Sequence, residues 1–96
     1  MKLNVYAVNF DMTEKLNLYI EKKTKKYNKN LPEGAEMEFR LTVTKREAAM
    51  NKETQLRILG LGQEIFAQKV CDTFEQGVDE TLSAAERQLE RLKEKM

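Results

Sequence analysis

The sequence predicts an α+β fold: a two-layer sandwich in the order β-α-β-β-β-α, with a four-stranded sheet covered on one face by both helices. Three observations carry this. Four short segments alternate apolar and polar residues, the period of a half-buried strand. Two longer segments repeat apolar residues every three or four positions, the period of an amphipathic helix. The length of 96 residues, 41% hydrophobic and 34% charged, supports one core and leaves too little chain for two, so residues 1–96 read as a single domain.

Leu3, Val5 and Ala7 alternate with Lys2, Asn4 and Tyr6 in a first strand over residues 2–8. Asp11-Met12-Thr13-Glu14 has the spacing of a capping box with Asp11 as the cap, so Asp11 or Thr13 opens a helix. This helix is expected to run through residue 29. Leu16, Ile20 and Tyr27 form its apolar face, Tyr19 and Thr24 its margins, and Leu18 points elsewhere. Leu31-Pro32-Glu33-Gly34 stops it and turns the chain. Met37, Phe39, Leu41 and Val43 then alternate with Glu36, Glu38, Arg40, Thr42 and Thr44 in a second strand. A third strand is expected over residues 55–61 with Leu56 and Ile58 inward, and a fourth over residues 64–69 with Ile65 and Ala67 inward. Leu61-Gly62-Gln63 suits a tight hairpin turn between them. Asp72-Thr73-Phe74-Glu75 is a second capping box, opening a helix to about residue 94. Its stripe is Phe74, Val78, Leu82, Ala85, Leu89, Leu92 and Met96. Gly77 weakens a helix by about 1 kcal/mol, which points to a close approach there.

Composition narrows the chemistry. The chain has no His and one Cys, so Cys-His catalysis and the usual structural zinc sites are excluded. No enzyme activity, cofactor or small-molecule substrate is expected. A single Cys makes no internal disulfide, no apolar run reaches the roughly 18 residues of a membrane span, and the start lacks a signal-peptide pattern. The expectation is a cytoplasmic protein without a membrane partner.

Charge is unevenly spread. Residues 1–48 hold ten basic and seven acidic residues, a balance of +3, and residues 49–96 hold seven and nine, a balance of −2. Lys15, Lys22, Lys26 and Lys29 fall within about 60° of rotation on the first helix. Lys22 with Lys26, and Lys25 with Lys29, are like-charge pairs four apart, which cost a helix a few tenths of a kcal/mol and suggest an anionic partner. On the second helix Arg87 and Arg91 lie away from the apolar stripe with Gln88 and Lys95 beside them, and Glu75, Asp79, Glu86, Glu90 and Glu94 hold the opposite flank. If the helices lie side by side, their basic sides form one surface, for which phosphate-rich RNA is the natural ligand. A Lys-rich helix face is also, more blandly, a solvated one. Tyr6 and Phe66 are the only stacking candidates on the open sheet face, so recognition would go by shape and phosphate rather than by stacked bases.

The chain resembles the ribosome hibernation promoting factors, also called ribosome-associated inhibitors or sigma-54 modulation proteins. Val8-Asn9-Phe10-Asp11-Met12-Thr13-Glu14-Lys15-Leu16 is similar to that family's Arg/Lys-Asn-Phe-acidic-apolar-Thr-Glu-x-Leu start. Asp72-Thr73-Phe74 resembles its Asp-Met-Tyr opening of the last helix, and Glu86-Arg87-Gln88-Leu89 its Leu-Glu-Arg-Gln-Leu core. The resemblance implies a fold akin to a double-stranded RNA-binding domain. It also implies a protein that binds the small ribosomal subunit under stress and blocks the channel of mRNA and tRNA. By position it implies contacts to ribosomal RNA from Lys23, Lys26 and Lys29, from Arg87 and Arg91, and from Lys69; Lys22 and Gln88 join them by geometry. Lys23 is also placed to pack its stem at the core edge, and Phe74 and Leu89 read as core. Val8 stands where the family has a basic residue, and Ala84-Ala85 replace a Lys-Leu, so one expected contact is missing. The chain ends at Met96 without the C-terminal dimerisation domain of long members, so the likeness is to the short form, expected to be a monomer when free.

Two other readings stand beside this one. The stripe from Val78 to Met96 has heptad spacing and would suit a protein-interaction module dimerising through its C-terminal helix. A small carboxylate enzyme of acylphosphatase type would need β-α-β-β-α-β order, whereas this chain ends in a helix.

Overall fold

The computed structural model describes residues 1–45 and 49–94. Its elements are β1 (Lys2–Val8), α1 (Glu14–Thr24), a single-turn α2 (Tyr27–Asn30), β2 (Glu36–Val43), β3 (Lys52–Leu59), β4 (Ile65–Cys71) and α3 (Phe74–Glu94). The predicted order therefore stands, with the first helix divided. Of the residues the sequence placed at the end of α3, Lys95 and Met96 lie outside the described residues.

The sheet runs in chain order, β1-β2-β3-β4. β1 and β2 are parallel, with Val5 beside Phe39, and parallel neighbours require a crossover, which α1 and α2 supply. The other two pairings are antiparallel. Their register sets Met37 beside Ile58 and Ile65, and Phe39 beside Leu56 and Ala67, so the apolar residues of three strands share one face. Leu16 and Ile20 of α1 and Phe74, Val78, Leu82 and Ala85 of α3 close the core over that face. The opposite face carries Tyr6, Arg40, Gln55 and Gln68 in one cross-strand row. Tyr6, Phe66 and Val70 are exposed there, as Leu18 is on α1. Ala7, expected inward, stands beside the buried Leu41 on the helix-covered face but is itself exposed on the edge strand.

Local chemistry explains where the boundaries moved. Both helices are capped by threonine, not aspartate. Thr13 accepts the Leu16 N–H at 3.1 Å, and Thr73 accepts the Gln76 N–H at 3.2 Å. Asp72 is diverted to the Met50 N–H at 2.9 Å. The first helix breaks after Thr24, whose buried hydroxyl donates back to the Ile20 carbonyl at 2.8 Å. Beyond it the bonds tighten to three-residue steps, Asn28 N–H to Lys25 and Lys29 N–H to Lys26. β3 begins at Lys52, three residues earlier than the pattern suggests, because Thr54 faces the core and interrupts the apolar alternation. The turn spans residues 60–64, and Gly60 (φ 91°) and Gly62 (φ 79°) take its left-handed positions.

At Gly77 α3 comes close to the sheet, as a weak helix former inside the helix suggests. A Cβ there would stand 2.2 Å from the Thr54 Oγ1 and 2.9 Å from its Cβ. The Thr54 hydroxyl is buried without a hydrogen-bond partner among the described residues.

Candidate nucleic-acid interface

α1 and α3 pack side by side. Contacts along α3 advance with the chain from Tyr19 of α1, which meets Asp79, to Tyr27 of α2, which meets Glu86, so this segment and α3 run in the same direction. The Tyr19 hydroxyl lies 2.8 Å from both Asp79 oxygens, and Tyr27 donates to Glu86 Oε1. Lysines complete each contact. Lys23 Nζ is 3.7 Å from Asp79, and Lys26 Nζ is 2.7 Å from Glu86. Lys23 also lies over the Tyr19 ring and Lys26 over the Tyr27 ring, at 5.4 and 5.2 Å from the centroids. Each carboxylate thus has one neutral and one cationic partner. Burial, reinforced by Asp79, pushes the Tyr19 phenol up to about 12, and burial with Glu86 pushes Tyr27 up as well. The Lys26 ammonium, helped by the Tyr27 hydroxyl, holds the Glu86 carboxyl below its ordinary range despite some burial.

This seam corrects the expectation that the basic sides of the two helices merge. The flank of α3 that meets α1 is the acidic one, so Asp79 and Glu86 stand between the two sets of cations. Lys22 and Lys29 are exposed and make no ion pair among the described residues. Lys23 and Lys26 are drawn into the seam. Arg87 and Arg91 are exposed beyond it and make no ion pair among the described residues, and Arg91 lines a shallow depression with Gln63, Ile65, Gln88 and Leu92 beside β4. Lys69 is exposed on β4, on the helix side of the sheet opposite Thr54. Gln88 is not a free contact. Its amide donates to the Phe66 carbonyl at 2.7 Å and accepts the Phe66 N–H at 3.4 Å, covering the open edge of β4.

Sequence reasoning did not find the four-residue linkage of Tyr19, Tyr27, Asp79 and Glu86. One signal was available: a buried or half-buried tyrosine needs a partner for its hydroxyl, and Tyr19 lies beside the apolar face of α1 while Tyr27 is buried in α2. The stretches that carry the family likeness meet instead in the core. Phe10 stacks on Phe74 with ring centroids 4.6 Å apart. Leu89 packs against the same core. Cys71 is buried and its thiol donates to Glu80 at 2.8 Å; burial and that carboxylate push it up to about 11, far from a reactive thiolate. No group of three or more metal-ligating side chains occurs among the described residues, and no helix there is long and apolar enough to cross a membrane.

Fold and surface together define a small two-layer α+β domain with cations on its helix layer. Among the solved structures that share this fold are two that cover nearly the whole chain. The N-terminal domain of Thermus thermophilus Protein Y matches with a TM-score of 0.71 at 13% identity, over 100% of both chains. A ribosomal subunit interface protein from Coxiella burnetii matches with a TM-score of 0.80 at 20% identity, over 97% of this chain and 98% of that one. No curated protein matches the chain. The chain belongs to the family described as Sigma 54 modulation protein / S30EA ribosomal protein, which matches residues 3–96. Members of this family are ribosome-associated and are not enzymes.

Proposed function

We propose that this protein is a translation inhibitor of hibernating ribosomes, which binds RNA of the small subunit and sterically blocks the channel of mRNA and tRNA. The family match over residues 3–96 carries the reading. The helix layer suggests how the contact is made. Lys22 and Lys29, with Lys23 and Lys26, lie on one side of an acidic seam, and Arg87, Arg91 and Lys69 lie beyond it. A-form RNA offers rows of phosphate on either side of a groove. Two separated groups of cations suit two such rows, with the carboxylates over the groove between them. Gln88 positions α3 on β4 and is a supporting residue in this reading.

The mechanism needs no cofactor and no bond chemistry. A folded wedge occupies space that translation requires, in the cytoplasm where ribosomes work. The apolar stripe of α3 favours a monomer when free, because Phe74, Val78, Leu82 and Ala85 are already buried on the sheet. Among the described residues of the stripe, the half-buried Leu89 and Leu92 are what remains for a helix-mediated dimer. Co-sedimentation with purified small subunits tests the proposal. Binding is expected at low salt with steep loss as salt rises, since counterions return to the phosphates. Absence of binding at low salt would reject it.

A further inference from the structure

We infer that Asp79 and Glu86 are built-in competitors for RNA phosphate, which hold Lys23 and Lys26 in the free protein and yield them only to a dense row of phosphates. The inference rests on the ribosomal RNA reading above and adds two affinity-setting residues to it. The double partnership of each carboxylate carries it. When Lys26 leaves Glu86, the Tyr27 hydroxyl still donates to that carboxylate; when Lys23 leaves Asp79, Tyr19 still donates. The lysine is therefore the exchangeable partner and the tyrosine the fixed one. Both phenols are protonated donors in the neutral range, as tyrosine ordinarily is, and burial with the carboxylates pushes them further that way. The ammonium groups are within reach of solvent, with side chains 45% exposed for Lys23 and 60% for Lys26.

Exposed ion pairs of this kind are weak enough for another anion to displace. A lone phosphate gains little by replacing a carboxylate of similar charge. A row of phosphates with condensed counterions gains the release of those ions as well. The seam thus acts as a threshold: Lys22, Lys29, Arg87 and Arg91 make first contact, and Lys23 and Lys26 join only where phosphates are closely spaced. Sparse anions such as mononucleotides leave it closed.

The test measures affinity for an RNA duplex of about 16 base pairs, the span that double-stranded RNA-binding domains cover. Asp79→Asn with Glu86→Gln keeps both tyrosine hydrogen bonds and frees the lysines, so binding is expected to tighten about fivefold. Glu75→Gln with Glu94→Gln changes net charge equally on the same helix and is expected to tighten binding by no more than about twofold. Tyr19→Phe with Tyr27→Phe changes no charge but leaves the carboxylates dependent on lysine, so binding is expected to weaken. Circular dichroism melting checks each fold; should the phenylalanine pair unfold, the two charge-matched pairs decide alone. Equal tightening in those two pairs, or none in the first while wild type binds, overturns the inference and leaves the ribosomal reading standing. No binding by wild type overturns both.

Discussion

α3 meets the rest of the protein along two seams of opposite character. Toward the sheet the contact is dry and fixed: Gly77 lies against Thr54, and Val78 and Ala85 are almost wholly shielded from water. Toward α1 it is polar and half exposed, built of two tyrosines, two carboxylates and two lysines. The first seam has no substitute partners, so it serves stability alone. Every lysine in the second has another possible partner, any phosphate, so that seam suits recognition. The difference teaches that the fold is anchored on one side of a single helix and its function is exercised on the other.

The sharpest way to break this contrast is at the dry seam. Gly77→Ala drives a methyl into Thr54, and overpacking of about 2 kcal/mol, lowering the melting temperature by about 10 °C, is expected. Thr54→Ala in the same chain is expected to recover part of that loss, since it removes the atom a new Cβ would meet at 2.2 Å. Ribosome binding of the folded fraction should not change. The converse comes from the exposed cations: Lys22→Glu with Arg91→Glu is expected to cost roughly a hundredfold in affinity for small subunits at low salt. Melting should stay where it is, because both residues are exposed.

These expectations also mark how far the sequence is informative. Period-two and period-four patterns identify all four strands and both long helices, and the weak helix former Gly77 betrays the close approach on β3. Thr54 hides the start of β3, because a buried threonine looks polar in the pattern. Aspartate and threonine compete for each cap, and at the second the aspartate is claimed by Met50, a residue distant in the chain. The largest miss is the orientation of the α3 flanks. At about 100° per residue Asp79 and Glu86 lie nearer the apolar stripe than Arg87 and Arg91 do, which marks theirs as the flank for a packed neighbour but does not say where that neighbour sits. The parallel β1–β2 crossover sets α1 on one side of α3, and only then do Asp79 and Glu86 fall opposite Lys23 and Lys26. The tie of Gln88 to Phe66 was hidden for a related reason, since the β4 edge it covers exists only once the sheet is assembled.

Smaller effects sharpen the polar seam. The Glu86 carboxyl is depressed in the folded protein, so its contribution is complete above the ordinary glutamate value of about 4.3 and is lost as pH falls through the folded value. Acid melts should show a loss of less than about 1 kcal/mol from this exposed group, absent in Glu86→Gln. Tyr19 is raised to about 12, so its contribution is complete below the ordinary tyrosine value of about 10 and fades as pH climbs through the folded one. Tyr19→Phe should remove that alkaline step, seen by phenolate absorbance and melting together.

The most direct test of the account is residue-by-residue labelling, by lysine acetylation and by an arginine-selective dicarbonyl, with and without small ribosomal subunits. The account predicts strong protection of Lys22, Lys29, Arg87 and Arg91 on the helix layer, with Lys2, Arg40 and Arg57 on the sheet side labelled as in the free protein. Protection of the sheet-side residues with the helix layer still reactive would contradict it.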